Sequence, residues 1–266
     1  MKKKKNYNLI FGIGITAFMV ALIVLGFFWT PYSPTQMDAS AKSQAPSFAH
    51  ILGTDNFGRD IFSRVLDGAG TTLVIAAATV AIGAVFGTLI GAFTGYFGGW
   101  LDELLMRFND IVTAFPSILL ALVLISLMGS GKYQIILALG LLFIPSFARM
   151  VRGEFARQKQ LDYVRSAQLM GVSTLRIMFV HILPNAAPVL LSSAAIGFNN
   201  AVLAEASMSY LGLGVQPPDA SLGRMLSEAQ SYIFSAPWYA LSAGLTIVLL
   251  ILGFGLISEG IGGDGA

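Results

Sequence analysis

Six long stretches without a charged residue dominate this sequence. They cover residues 9–29, 68–101, 111–131, 133–148, 182–204 and 229–258. Five reach the roughly 20 apolar residues that an α-helix needs to cross a bilayer, and the fourth falls slightly short. Because lipid offers no partner to unpaired backbone groups, the pattern predicts an all-α polytopic membrane protein with six transmembrane helices. The sequence lacks the ten-residue segments of alternating polarity that a transmembrane β-barrel needs.

Composition supports this class and excludes others. Only 11% of the 266 residues are charged, whereas a soluble domain carries about 25%. The net charge of +2 leaves no electrostatic footprint for nucleic acid. The chain contains no cysteine, so disulfides, thiolate chemistry and cysteine-based metal sites are excluded.

The basic residues predict the orientation. Lys2 to Lys5 precede the first span, and the positive-inside rule places them in the cytoplasm. Six spans return the C-terminus to that side, with eleven Lys and Arg inside and five outside. A cleaved signal peptide ending near Ala39-Ser40-Ala41 is the weaker alternative, because the apolar run is too long and the site lies ten residues beyond it. The predicted spans are 9–29 and about 71–97, 104–128, 133–150, 183–210 and 237–258.

The segments between the spans complete this layout. The basic tail 1–8 and the short tail 259–266 are predicted to be cytoplasmic, as is the loop 151–182. Segments 30–70 and 211–236 are predicted to lie outside. Charges from Asp55 to Asp67 alternate with apolar residues at helical spacing, which predicts a short amphipathic helix on the outer surface. Pro116 and Pro145 fall inside predicted spans and indicate kinks.

Four glycines lie at four-residue intervals in the second span: Gly83, Gly87, Gly91 and Gly95. They share one helix face, where the absence of side chains lets a neighbouring backbone approach closely. The partner is either another helix of this chain or a second subunit, and the spacing leaves both open.

The long inner loop has a helix, turn, helix pattern. Asp162 can cap a helix over Tyr163–Met170, Gly171 suits a left-handed terminus, and Ser173 can cap a second helix that ends before Pro184. Such a rigid protruding unit suits docking onto another protein.

Few residues suit catalysis or ion coupling. Gly129-Ser130-Gly131-Lys132 lacks the first glycine and the final Ser or Thr of a phosphate-binding loop. Glu205 is the clearest acidic residue within an apolar span, and Asn199 and Asn200 precede it. An intramembrane carboxylate suggests a proton or cation site, but Glu205 lies near the outer end of its span without a cationic partner in it. A helix-stabilising or interface role is therefore preferred.

Four segments together resemble the second permease subunit of the dipeptide, oligopeptide and nickel ABC importers. The resemblance runs from the first span to the last in matching order and spacing. The segments are GTDNFGRD at 53–60, YVRSAQLMG at 163–171, HILPN at 181–185 and EASMSYLGLGVQPP at 205–218.

This resemblance implies a type I ABC importer permease fold, with residues 71–258 as its transmembrane domain. The partners would be a homologous permease, two cytoplasmic ATPases and an extracytoplasmic solute-binding protein. ATP and Mg would bind the ATPases, and this chain would hold no cofactor or metal. The family's EAA motif maps to Arg165, Ser166 and Ala167, with its glycine at Gly171. The set assigned to ATPase coupling is Asp162, Tyr163, Arg165, Ser166, Ala167, Gly171 and Leu175.

Two departures from the family and three alternatives remain. The leading Glu-Ala of the motif is Arg-Ser here, and the chain lacks the longer C-terminal tail often seen in the family. Peptides are the favoured substrate, and nickel or a metal chelate is the alternative. An ion-coupled carrier centred on Glu205 and an intramembrane enzyme are remoter readings.

Overall fold

The computed structural model describes residues 7–262, and within them the chain is helical. The basic tail Lys2 to Lys5 and residues 263–266 lie outside the described part. Ten α-helices follow one another, and a π-helical turn over Ile177–Ile182 joins the seventh to the eighth. They are α1 Tyr7–Phe28, α2 Ile61–Phe97, α3 Gly99–Thr113, α4 Ser117–Met128, α5 Lys132–Gln158, α6 Asp162–Leu169, α7 Thr174–Arg176, α8 Leu183–Tyr210, α9 Leu222–Ala229 and α10 Pro237–Gly262.

Five helical segments of the described chain are long and apolar enough to cross a membrane: α1, α2, α5, the run Thr174–Tyr210 and α10. The helices α3 and α4 form a sixth span only if they are counted together, because they meet at an angle of 87°. The expectation of one kinked span over 104–128 therefore needs correction. Pro116 lacks a backbone N–H and disfavours helical geometry at Phe115, so the helix ends at Thr113 instead of bending.

The outer charged segment also differs from the expectation. The short surface helix predicted between Asp55 and Asp67 does not form as a separate element. Instead α2 begins at Ile61 and continues without a break to Phe97. Its start is fixed by Asp60, whose carboxylate accepts a hydrogen bond from the Ser63 amide at 2.8 Å. Several of the charged side chains are buried, because other outer segments cover this end of the helix.

The glycine face of α2 packs against α5. A Cβ atom on Gly83 would lie 2.7 Å from the Cβ of Phe143, and one on Gly91 would lie 2.5 Å from the carbonyl oxygen of Ala148. Gly87 and Gly95 meet the same helix in the same way. The neighbour that the glycines approach is thus within this chain. This glycine seam holds two long helices together through close backbone contact.

The remaining helices flank this pair. Helix α1 packs along α10, and both contact α2. Helix α8 lies between α10 on one side and α5 on the other. Helices α1 and α10 expose apolar side chains over much of their length, which suits contact with lipid. These exposed residues include Ile10, Phe11, Phe18, Leu241, Leu245 and Val248.

Candidate functional site

The loop between α5 and α8 folds into a compact unit of two short helices. Helix α6 ends in a Schellman motif, in which the Gly171 amide donates to the Gln168 carbonyl at 3.0 Å and the Val172 amide donates to the Ala167 carbonyl at 3.1 Å. Gly171 adopts φ +76°, which glycine tolerates and other residues resist. The chain therefore turns sharply at this residue and enters α7.

Two bounds in this unit differ from the expectation. Helix α6 begins at Asp162 with Leu161 at the N-cap, so Asp162 does not cap it. Ser173 occupies the N-cap position of α7, but its side chain makes no capping hydrogen bond. The second helix does not end before Pro184. It widens into the π-helical turn and continues as α8, and Pro184 lies just after this π-helical turn.

The inner face of the unit is buried and its tip is exposed. Val164 and Ala167 pack with Phe155, Ile177 and Met178 in one apolar cluster. The opposite side is formed by Leu169 and Met170, whose side chains are 90% and 75% exposed. Leu175 is exposed beside them. Asp162, Arg165 and Ser166 of α6 are exposed as well. The three apolar side chains form a small apolar patch at the tip.

Polar contacts fix the unit to the long helices. Lys159 Nζ donates to the carbonyl of Tyr96 at 2.6 Å. The Tyr96 hydroxyl accepts from Gln168 Nε2 at 3.2 Å, and the Tyr163 hydroxyl donates to Gln158 Oε1 at 2.6 Å. A displacement of α6 would therefore be passed directly to the ends of α2 and α5.

A cavity of about 500 Å³ lies between α4, α5 and α8. Most of its lining is apolar, and its polar groups are hydroxyls and one amide. No charged side chain of the described chain lines it. The polar lining residues are Ser117, Ser146, Ser193, Asn200 and Ser207. Asn199, one position earlier on α8, lies instead toward Gly255 of α10.

Glu205 is fully buried near the C-terminal end of α8. Its Oε2 accepts from the Thr72 hydroxyl at 2.8 Å, and its Oε1 accepts from the Ser209 hydroxyl at 2.6 Å. Each hydroxyl in turn accepts a backbone N–H, from Leu222 at 3.3 Å and from Val215 at 3.1 Å. Glu205 thus ends two hydrogen-bond relays that connect α2, α8 and the start of α9. No Arg, Lys or His in residues 7–262 forms an ion pair with it. These contacts favour a structural role.

A buried ionic cluster occupies the end of the bundle opposite the unit of α6 and α7. Arg59 and Arg64 donate to Glu228 Oε2 at 2.7 and 3.1 Å. The Tyr239 hydroxyl donates to the same oxygen at 2.9 Å, and Arg59 also pairs with Asp55 at 2.5 Å. Burial by itself would raise the pKa of Glu228, but the charges of Arg64 and Arg59 outweigh it and hold that pKa below its ordinary value.

The sequence pattern did not predict this ionic cluster. Alternating charges from Asp55 onward indicated a solvated helix face, and Glu228 stands 164 residues after Arg64. The only available hint was that Glu228 interrupts an otherwise sparsely charged outer loop. The cluster fastens the outer segment and α9 to the start of α2.

Helices that span a membrane, a cavity among them and a protruding unit at one end define a transport protein. The sequence matches the family described as binding-protein-dependent transport system inner membrane component over residues 87–261. The chain belongs to this family. It is a permease subunit of an ABC importer and a multi-pass protein of the plasma membrane.

Individual relatives agree with this assignment. The chain is 37% identical over 258 residues to the dipeptide transport system permease protein DppC of Alkalihalophilus pseudofirmus, covering 97% of this chain and 85% of that protein. It is 39% identical over 249 residues to the glutathione transport system permease protein GsiD of Pectobacterium atrosepticum, covering 92% and 82%.

A solved structure supports the fold. Inward-facing forms of the MetNI methionine ABC transporter include a chain that matches with a TM-score of 0.62. The match covers 76% of this chain and 97% of that chain at 19% identity. The type I importer fold expected from the sequence is confirmed.

Proposed function

We propose that this chain and a homologous permease together form the pathway by which an ABC importer carries dipeptides or oligopeptides into the cell. Two cytoplasmic ATPases bind and hydrolyse ATP, and this permease catalyses nothing itself. A solute-binding protein delivers the substrate from outside. The termini and the unit formed by α6 and α7 lie in the cytoplasm.

The exposed tip of that unit carries the proposal of ATPase coupling. Leu169, Met170 and Leu175 present apolar surface to solvent on a rigid support, which a partner protein would cover. The Schellman turn and the contacts to Tyr96 make the support stiff. Movement of an ATPase against the tip would therefore shift α2, α5 and α8 together, which is what alternating access needs.

The cavity supports the proposal of a pathway. It opens on the side of the chain formed by α4, α5 and α8, where a second permease would complete its wall. Its hydroxyls and the Asn200 amide can donate hydrogen bonds to peptide groups and accept hydrogen bonds from them. Its lack of charge suits a pathway that does not hold a substrate tightly.

The named relatives favour peptides over a metal chelate, since two are a dipeptide and a glutathione permease. An ion-coupled carrier is disfavoured by the contacts of Glu205, because both of its oxygens accept hydrogen bonds from hydroxyls that also hold backbone amides.

The first experiment is a mild-detergent pull-down of the tagged chain from its native membrane, followed by mass spectrometry. We expect a second permease, ATPase subunits and a solute-binding protein. Recovery of the chain alone, in a preparation that keeps its fold, would contradict the assembly. Uptake assays with the recovered solute-binding protein then separate peptides from chelated nickel.

A second experiment tests the tip. Met170→Asp places a charge in the apolar patch, which would cost about 2–3 kcal/mol if the patch is buried by an ATPase. That cost corresponds to roughly 30- to 150-fold weaker association. Gln160→Asp is the matched control, because Gln160 is also exposed in this loop but lies outside the tip. Equal ATPase recovery with both variants would remove the tip from the interface.

A further inference from the structure

Two outer loops expose large apolar side chains. Phe48 and Phe234 are fully exposed, and Ile51 and Ile233 are about half exposed beside them. Neither residues 43–54 nor residues 229–244 contain Asp, Glu, Lys or Arg. His50 is the one titratable group among the first set, and its ring is bonded to Asp60 at 2.9 Å. We call the surface of Phe48, Ile51, Ile233 and Phe234 the outer apolar platform.

The first of these loops is held at the level where two spans end. Trp238, in the first turn of α10, donates from its ring nitrogen to the Thr54 carbonyl at 3.4 Å. Tyr32, four residues beyond the end of α1, donates from its hydroxyl to the Ala49 carbonyl at 2.9 Å. The loop is thus fastened to the outer ends of both α1 and α10.

The second loop lies at the same end of the bundle because it leads directly into α10. Phe234 precedes the first residue of α10 by three positions. Because α10 enters the membrane there, Ile233 and Phe234 lie at the boundary between water and lipid. Aromatic side chains concentrate at this depth in membrane proteins.

The outer apolar platform lies near the ends of two helices whose exposed side chains are apolar. Helices α1 and α10 pack on each other and expose apolar side chains toward the same periphery. Trp29 and Tyr32, just after the end of α1, are exposed as well, and Tyr32 is the residue that bonds to the first loop. An apolar surface at the ends of these helices matches the interfacial region of a bilayer.

We propose that the outer apolar platform inserts into the interfacial region of the extracytoplasmic leaflet and anchors the outer segment 30–60 to lipid. The buried ionic cluster joins that segment to α2 and α9. Insertion of the platform would therefore fix the height of these outer elements relative to the bilayer. The anchor does not depend on which substrate the importer carries.

A protein is a less favoured partner for the platform than lipid. The cavity is lined by residues of α4, α5 and α8, and no residue of α10 lines it. A protein that delivers substrate would sit over the cavity, where the outer loops carry the exposed pair Lys132 and Asp219. None of the four platform residues lines the cavity, and the platform loops lack such charges.

The natural absence of cysteine makes the test direct. Phe48→Cys and Phe234→Cys are each labelled with an environment-sensitive fluorophore in the full transporter, reconstituted into phosphatidylcholine nanodiscs. Lys42→Cys, an exposed charged position of the same outer segment that lies outside the platform, is the matched control. The transporter with the unsubstituted chain gives the background labelling of cysteines in other subunits. The ATPase activity of each variant transporter checks that it is assembled.

We expect both platform labels to be blue-shifted and to be quenched by shallow nitroxide-labelled lipids more strongly than the control label. The control label should instead be quenched by iodide in the water. Platform labels quenched by iodide and unaffected by nitroxide lipids would overturn the proposal. Platform labels that become shielded only when the solute-binding protein is added would also overturn it, and would assign the surface to protein docking.

Discussion

The glycine seam between α2 and α5 gives the sharpest test of how the bundle is held together. A Cβ atom on Gly91 would lie 2.5 Å from the carbonyl oxygen of Ala148 and 2.8 Å from the Cβ of Val151. Ordinary contacts between such atoms are about 3.5 Å, so Gly91→Ala would push the helices roughly 1 Å apart. The obstructing atoms belong to the backbone or lie next to it, and they cannot move aside as the end of a flexible side chain can.

The expected cost follows from this displacement. A gap of roughly 0.5–1 Å loses about a quarter to a half of each van der Waals contact along the seam. Overpacking of this kind costs about 1–3 kcal/mol. Alanine also favours a helix over glycine by about 1 kcal/mol, which would hide part of the cost.

Gly153→Ala removes that ambiguity. Gly153 lies in α5 itself, and an added Cβ there would meet nothing within 4 Å. Both variants gain the same helix preference, so the difference between them isolates the packing cost. We expect Gly91→Ala to be about 1–3 kcal/mol less stable than Gly153→Ala.

The assay is unfolding of the purified transporter in one detergent, followed by the exposure of an introduced buried label or by loss of helix. Gly91→Ala should unfold before Gly153→Ala. Gly83→Ala and Gly87→Ala should likewise be less stable than Gly153→Ala. If Gly91→Ala is as stable as Gly153→Ala, close backbone contact along the seam does not hold α2 to α5.

Three other substitutions test the remaining parts. Glu205→Leu should lower the free energy of unfolding by about 2–5 kcal/mol, because it leaves two buried hydroxyl groups without an acceptor. Thr94→Ala is the control and should cost less, because its hydroxyl is bonded only within its own helix. Equal stability of the two variants would contradict the structural role of Glu205. The pKa of Glu228 is lowered in the folded protein, so the stability that its ionised carboxylate contributes is complete above the ordinary pKa of Glu and is lost as the pH falls through the lowered pKa. The free energy of unfolding should therefore fall less steeply with acid in Glu228→Gln than in the unsubstituted protein, whereas the exposed Glu103→Gln should leave the steepness unchanged. Gly171→Arg forces a residue with a side chain into positive φ, so ATP hydrolysis should become uncoupled from uptake while membrane insertion persists; normal uptake would contradict the role given to the turn.

Several features of the fold could be predicted because they depend on residues close together in the chain. The uncharged stretches located the helices that form the bundle, since the cost of placing a charge in lipid is paid residue by residue. The four-residue glycine spacing identified a close-packing face, and Gly171 was singled out as a left-handed turn residue.

Other features depended on neighbours that are distant in sequence. Pro116 indicated a kink in the helix, but the 87° angle between α3 and α4 and the pairing of Asp102 and Asp110 of α3 with Arg152 and Arg149 of α5 join residues about 40 to 50 positions apart in the chain. The charges near Asp55 suggested a solvated surface because their partner Glu228 could not be recognised from sequence. Glu205 stood out as unpaired because hydroxyl partners carry no charge.

The sequence by itself determined that the chain crosses the membrane several times, where its helices lie and which unit protrudes, since hydrophobicity and backbone preference are local properties. Only the tertiary structure decided what each face meets. It placed the glycines against α5, joined Glu205 to the hydroxyls of Thr72 and Ser209, and buried the outer charges around Glu228. These choices depend on the rotation and height of each helix relative to the others, and local hydrophobicity does not encode either.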